Sequence, residues 1–154
     1  MAKFSESQAR LGWQIFNWVG IINQLAVNRA ERTLDELKLP MPQFTILNHF
    51  SHRPHEAKTV TSISSAMQQP QPGVTKTVQK LLGRKLLKAE PDPADKRSKL
   101  LTITPKGLEI HQRAIVAFVP RFAESFDGWD DAEMQALFQQ LDRLKTWLDS
   151  KGRE

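Results

Sequence analysis

Gln71, Thr75 and Gln79 recur every four residues in a segment that also carries Lys76, Lys80, Arg84 and, near its start, Gly73. On a helix, amide and hydroxyl side chains in the first turns can pair with base edges in the major groove, while cations further along meet phosphates. Gly73 has no side chain, so the backbone there can approach a sugar-phosphate chain closely. The opposite face is apolar, with Val74, Val78, Leu81 and Leu82 at helical spacing. Taken alone, that polar face also fits the solvated side of an ordinary core helix.

A second cluster, Asp95, Lys96, Arg97 and Lys99, falls between two strand-like runs. A single arginine at the tip of a two-stranded ribbon can enter the narrow, electronegative minor groove of a duplex. Asp95 stands two residues before Arg97, where a carboxylate can hold a guanidinium in a fixed direction. A generic exposed hairpin has no need of that pairing.

Other chemistry is poorly served. His49 and His52 are three residues apart, but no carboxylate or thiol at ligand spacing joins them, and Pro54 separates His55. Together with His111 they read as surface or pocket-wall histidines, and no metal or other cofactor is expected. Zero cysteines exclude disulfides, zinc-thiolate sites and thiol-based sensing. No Ser-His-Asp grouping, phosphate-cradling glycine loop or paired catalytic carboxylates stands at usable spacing, so no enzyme is expected.

The elements that position these residues follow from periodicity. Residues 7–37 form a helix whose stripe of Leu11, Ile15, Trp18, Ile22 and Leu25 is widened by Phe16, Val19, Ala26, Ala30, Leu34 and Leu37. A helix so apolar needs partners on two sides, which suits a subunit interface anchored by Trp13 and Trp18 as well as a central bundle helix. Leu39-Pro40-Met41-Pro42 breaks it. Phe44, Ile46, Leu47 and Phe50 outline a short helix that stops at Arg53-Pro54. A further short helix carries Ile63, Ala66 and Met67, capped by Thr61 or Ser62, and the helix bearing Gln71 to Arg84 tolerates Pro70 and Pro72 only in its first turn. Strands follow at 86–90 and 99–104, joined by a loop over 91–97. Thr104 then caps a helix with Pro105 in its first position, kinked or broken near Pro120, and a last helix opens at Asp130 with Glu133 completing a capping pair.

The totals agree. A chain of 154 residues can bury one sizeable core, and 40% hydrophobic with 25% charged residues is an ordinary globular balance. No apolar run is long enough to cross a membrane and the N-terminus shows no export signal, which makes the expected location cytoplasmic. The net charge of +5 favours an anionic partner. Its distribution says more: over residues 58–107, Lys76, Lys80, Arg84, Lys85, Lys88, Lys96, Arg97, Lys99 and Lys106 face only Glu90, Asp92 and Asp95.

The segment from Ile63 to Gly107 resembles the winged helix-turn-helix core of the MarR family of bacterial transcriptional regulators. The residues that carry the likeness are the wing PDPADKRSKLLTITPKG, with the family's D-x-R motif and L-T-x-x-G-like helix start, and the stretch GVTKTVQKLLGRKLL. The chain departs from the family where a turn glycine is replaced by Gln68 and where the glycine before the wing strand falls at Lys85. The resemblance implies that Asp95 and Arg97 act as the wing pair and that Thr75, Lys76 and Gln79 contact DNA from the recognition helix. It also implies a homodimer joined through the terminal helices, and often an effector pocket.

The expected fold is therefore mainly α with a small β-hairpin wing: a winged helix-turn-helix over 41–107 in a single domain of 1–154, with dimerisation helices over 5–39 and 108–150. Its expected partners are double-stranded DNA, a second copy of the chain and a small-molecule effector, with no membrane. The DNA contacts are expected from Gln71, Gly73, Thr75, Lys76, Gln79, Lys80, Asp95, Arg97 and Lys99. The expected function is sequence-specific transcriptional regulation, most often repression, at a pseudo-palindromic operator. The competing reading is a winged helix that uses its basic face to bind an acidic protein.

Overall fold

Most helices begin where the chain supplies an acceptor for the first amides. The computed structural model describes residues 5–151, so the outermost residues of the expected 1–154 domain lie outside the described residues. Among those described, the order is α1 (Glu6–Glu36), α2 (Met41–Ser51), α3 (Val60–Met67), α4 (Gln71–Gly83), β1 (Leu87–Pro91), β2 (Lys99–Ile103), α5 (Pro105–Ala123), a 3-10 turn (Glu124–Phe126) and α6 (Asp131–Lys151). This is the mainly helical, single-hairpin architecture of a winged helix-turn-helix.

At α1, the Gln8 amide donates to the Ser5 hydroxyl while the Ser5 amide donates to the Gln8 side chain. The α3 cap differs from the expectation of Thr61 or Ser62. It is Thr59, which exchanges reciprocal hydrogen bonds with Ser62 at 3.1 Å each, so the helix opens two or three residues earlier, at Val60. At α6 the expected pair forms, the Glu133 amide donating to Asp130 Oδ1 at 2.8 Å and the Asp130 amide to Glu133 Oε2 at 3.0 Å. Pro120 sits inside α5, which continues to Ala123 before passing into the 3-10 turn.

Two compact units follow from the chain's contacts, Met1–Ala117 and Phe118–Glu154. The first has a core of Ile46, Leu47 and Phe50 from α2, Ile63 from α3, Val74, Val78 and Leu81 from α4, and Leu86, Leu101 and Ile103 around the hairpin. α1 adds only its last third to that core: Ala30, Thr33 and Leu34 are buried, whereas Trp13, Trp18 and Ile22 are 72%, 62% and 61% exposed. In the second unit, α6 buries no residue, and Phe138 and Trp147 are exposed.

β1 and β2 pair antiparallel, from Leu87 opposite Ile103 to Pro91 opposite Lys99. Lys58 adds a further, isolated rung on β2, its amide donating to the Leu101 carbonyl at 2.9 Å and its carbonyl accepting from the Leu101 amide at 2.8 Å. This rung ties the start of α3 to the wing. A single paired residue leaves no alternating run, so periodicity alone could not reveal it.

Candidate nucleic-acid interface

α4 is placed by its apolar face. Val74, Val78 and Leu81 are buried and Leu82 half-buried, which turns Gln71, Gly73, Lys76, Gln79 and Lys80 outward into solvent. Thr75 is half-buried, and its hydroxyl donates to the Gln71 carbonyl at 2.9 Å. Its lone pairs and methyl group remain for any outside contact. A Cβ added at Gly73 would meet nothing within 4 Å, so packing inside the chain gives no reason for a glycine there. The helix starts at Pro70 without a side-chain cap and without an acid in its first turn. No acid of its own first turn offsets the positive end of its dipole.

The turn that delivers α4 is tight. Gln68 adopts the left-handed conformation with φ 50° and ψ 40°, and the Ser64 hydroxyl donates to the Gln69 carbonyl at 2.5 Å. Lys85, at φ 59°, does the same between α4 and the wing. These are two positions where a glycine was expected from the family pattern, and the chain holds the glycine-like conformation with a side chain present.

In the wing, Asp92 and Asp95 act on the backbone. Asp92 Oδ1 accepts from the Ala94 amide at 2.9 Å, and Asp95 Oδ1 accepts from the Arg97 amide at 3.0 Å. The expected carboxylate–guanidinium pairing is therefore corrected: Asp95 fixes the turn that presents Arg97, not the guanidinium itself. With the Ser98 amide donating to the Asp95 carbonyl at 2.9 Å, the loop is closed on itself. Lys96, Arg97 and Lys99 stand exposed around it.

Arg84, read as a phosphate-facing cation, is half-buried, and its Nη1 donates to Gln43 Oε1 on α2 at 2.6 Å. Gln43 is itself buried, a polar core position that apolar periodicity passed over. Away from this face, Asn48, Ser51, His52, Leu108, His111, Gln112 and Ile115 line a cavity of about 470 Å³. His111 Nε2 lies 3.0 Å from Asn48 Oδ1, and its ring stacks on Phe44 with centroids 5.5 Å apart.

Burial first, and His52 second, hold the His111 pKa below the ordinary 6.5. His49 is lowered as well, by burial and then by Lys58. A base with a depressed folded pKa binds fewer protons folded than unfolded, so its contribution to stability is complete above pH 6.5 and is lost as pH falls toward the folded value. Urea unfolding of the wild-type chain is expected to show a steeper loss of stability between pH 7 and pH 5.5 than that of His111→Gln. Equal pH slopes would remove His111 from the account.

A model of the MarR family matches residues 37–98. An HTH-type transcriptional regulator of Staphylococcus aureus strain Mu50 is 30% identical over 102 residues, covering 66% of this chain and 68% of the relative. Among solved structures, a MarR protein from Peptoclostridium difficile is similar with TM-score 0.77 at 26% identity, over 89% of this chain and 88% of the other. Staphylococcus aureus MarR in complex with salicylate and kanamycin has TM-score 0.79 at 24% identity, over 92% and 95%. A Staphylococcus aureus MepR mutant bound to an oligodeoxyribonucleotide shares the fold with TM-score 0.60 at 19% identity, over 95% and 99%. With its helix-turn-helix, its basic wing and a relative covered over two thirds of its length, this chain belongs to the MarR family of DNA-binding transcriptional regulators.

Proposed function

We propose that the chain acts in the cytoplasm as a homodimeric repressor, with residues 41–107 as the DNA-binding region and residues 5–39 and 108–150 as the dimerisation region. In this reading α4 lies in the major groove with Gln71, Thr75 and Gln79 toward base edges, and Lys76 and Lys80 meet phosphates. Gly73 lets the backbone come close, Asp95 shapes the wing tip, and Arg97 with Lys99 follows the adjacent minor groove. The observation that carries it is the exposed face of α4 beside a wing loop in which Asp92 and Asp95 accept from backbone amides while Lys96, Arg97 and Lys99 stand exposed.

Two copies related by a two-fold axis read a pseudo-palindrome with half-sites about 10 bp apart. The cavity beside His111 has a volume suited to a small molecule and borders α2 and α5, which makes it the proposed effector site. No helix among the described residues is long and apolar enough to cross a membrane.

The test is Arg97→Ala on a duplex recovered by selection from random sequence with the wild-type chain. Loss of about 1–3 kcal/mol of binding free energy is expected, with sequence preference relaxed at the wing-proximal positions. Unchanged binding would take the wing out of the interface. Binding of an acidic protein that duplex DNA fails to compete would favour the interaction-module reading instead.

A further inference from the structure

The structure describes how the far end of α4 is held. Arg84 ends the helix, its amide donating to the Lys80 carbonyl at 3.1 Å. Its guanidinium donates to buried Gln43 of α2 at 2.6 Å, and its carbonyl accepts from Lys106 Nζ of α5 at 3.2 Å. One residue on, the Thr104 hydroxyl donates to the Lys85 carbonyl at 2.8 Å. Helices α2 and α5, with the Thr104 that leads into α5, are thus joined by polar bonds to the end of α4, while the opposite end of the helix has no side-chain cap.

We propose that Arg84 and Gln43 are positioning residues that set the direction of α4, and that Arg84 is not a phosphate contact; this rests on the DNA-binding reading given above. At a rise of 1.5 Å per residue, Gln71 lies about 20 Å from Arg84 along the helix. A tilt of about 5° at the anchored end therefore moves the first turn by about 1.7 Å, more than the spread of good hydrogen-bond distances. Apolar contacts of Val74, Val78 and Leu81 hold the helix against the core but resist sliding and tilting weakly, because dispersion contacts have no preferred direction. A short charge-assisted bond between a fixed fork and a buried amide supplies that direction.

Phe44, next to Gln43, stacks on His111, so α2 contacts α4 through one residue and α5 through the next. Orientation of α4 is in this way referred to α2 and α5 together. The pair Gln43–Arg84 has a positioning role that a salt-bridging surface arginine would lack.

The experiment uses the full chain and a duplex selected from random sequence by the wild type, with binding measured over a range of salt and melting followed in parallel. Arg84→Met and Gln43→Met, both folded at the assay temperature, are each expected to lose about tenfold in affinity with the slope of log K against log salt unchanged. The double variant should be little worse than either, since both remove one bond. Gln43→Glu keeps an acceptor for the guanidinium and should bind as tightly as the wild type. If Arg84→Met does not fold, Arg84→Lys decides: a phosphate contact predicts near wild-type affinity, a positioning role predicts a loss at unchanged slope. A slope reduced by about one phosphate, or unchanged affinity in both Met variants, overturns the proposal. Failure of the wild type to select any duplex would overturn the DNA-binding reading itself.

Discussion

Replacing Gly107 with alanine is expected to cost about 3 kcal/mol of stability, a large share of the roughly 5–15 kcal/mol typical of a domain. A Cβ at that position would run into the Leu86 carbonyl oxygen and lie 2.9 Å from Ile103 Cγ1. Neither neighbour is free to retreat. The Leu86 carbonyl accepts from the Thr104 amide at 3.1 Å, and Ile103 is buried at the end of β2. On the other side, the Gly107 amide donates to the Thr104 hydroxyl at 3.0 Å, so moving α5 outward breaks its own cap. This one glycine lets the start of α5 close against the exit of α4 and the root of the wing. Denaturant unfolding of Gly107→Ala should show a midpoint well below that of the wild type. A midpoint within about 0.5 kcal/mol of wild type would mean that the contact relaxes at little cost. Alanine at Gly83 or Gly73, where an added Cβ meets nothing within 4 Å, should be harmless to folding by the same measurement.

That contrast marks how far the sequence could be read. Thr104, Pro105 and Gly107 were legible as a helix start because caps and first-turn prolines act through neighbouring residues. The reason for Gly107 was not, since it lies in the Leu86 carbonyl, twenty-one residues away in sequence and adjacent only once folded. The wing was legible for a similar local cause: a tip rich in Asp and Pro between two short apolar runs has few other structures. The place of Asp95 in the tip is legible; its partner, the Arg97 amide, is not. A carboxylate two residues before an amide closes a turn with that amide more readily than it reaches a long flexible guanidinium. For Arg84 the sequence offers only its charge, and charge gives no sign of a buried glutamine forty-one residues earlier. The glycine-like turns at Gln68 and Lys85 could not be read from residue type at all. There the surrounding hydrogen bonds override local preference, at the cost of a side chain held in the left-handed region.

The second large effect is expected at α1. Trp18→Glu combined with Ile22→Glu should convert a dimer into a folded monomer and lower affinity for a two-half-site duplex by about a hundredfold or more, since the second half-site is then no longer tethered to the first. In a single chain Trp18 and Ile22 are 62% and 61% exposed, along with Leu11, Ile15 and Leu25 on the same stripe. A contiguous apolar stripe of this length is costly in water and marks a face that another surface covers. The same helix shows what a covered part looks like: Ala30, Thr33 and Leu34 are buried within the first unit, while the rest of the stripe lies exposed. Periodicity shows one continuous stripe, because apolar spacing is the same whether or not the chain's own core covers it. The two carboxylates add charge only where the chain makes no core of its own, and the melting of the monomer's helix-turn-helix should persist. Light scattering gives the mass and gel shift gives the affinity. A wild type that is already monomeric, or a double variant that remains a dimer with full affinity, would show that this stripe is not what joins two copies. A variant that becomes monomeric yet binds the duplex as tightly as wild type would separate dimerisation from DNA binding, and would place the whole affinity in one copy of α4 and its wing.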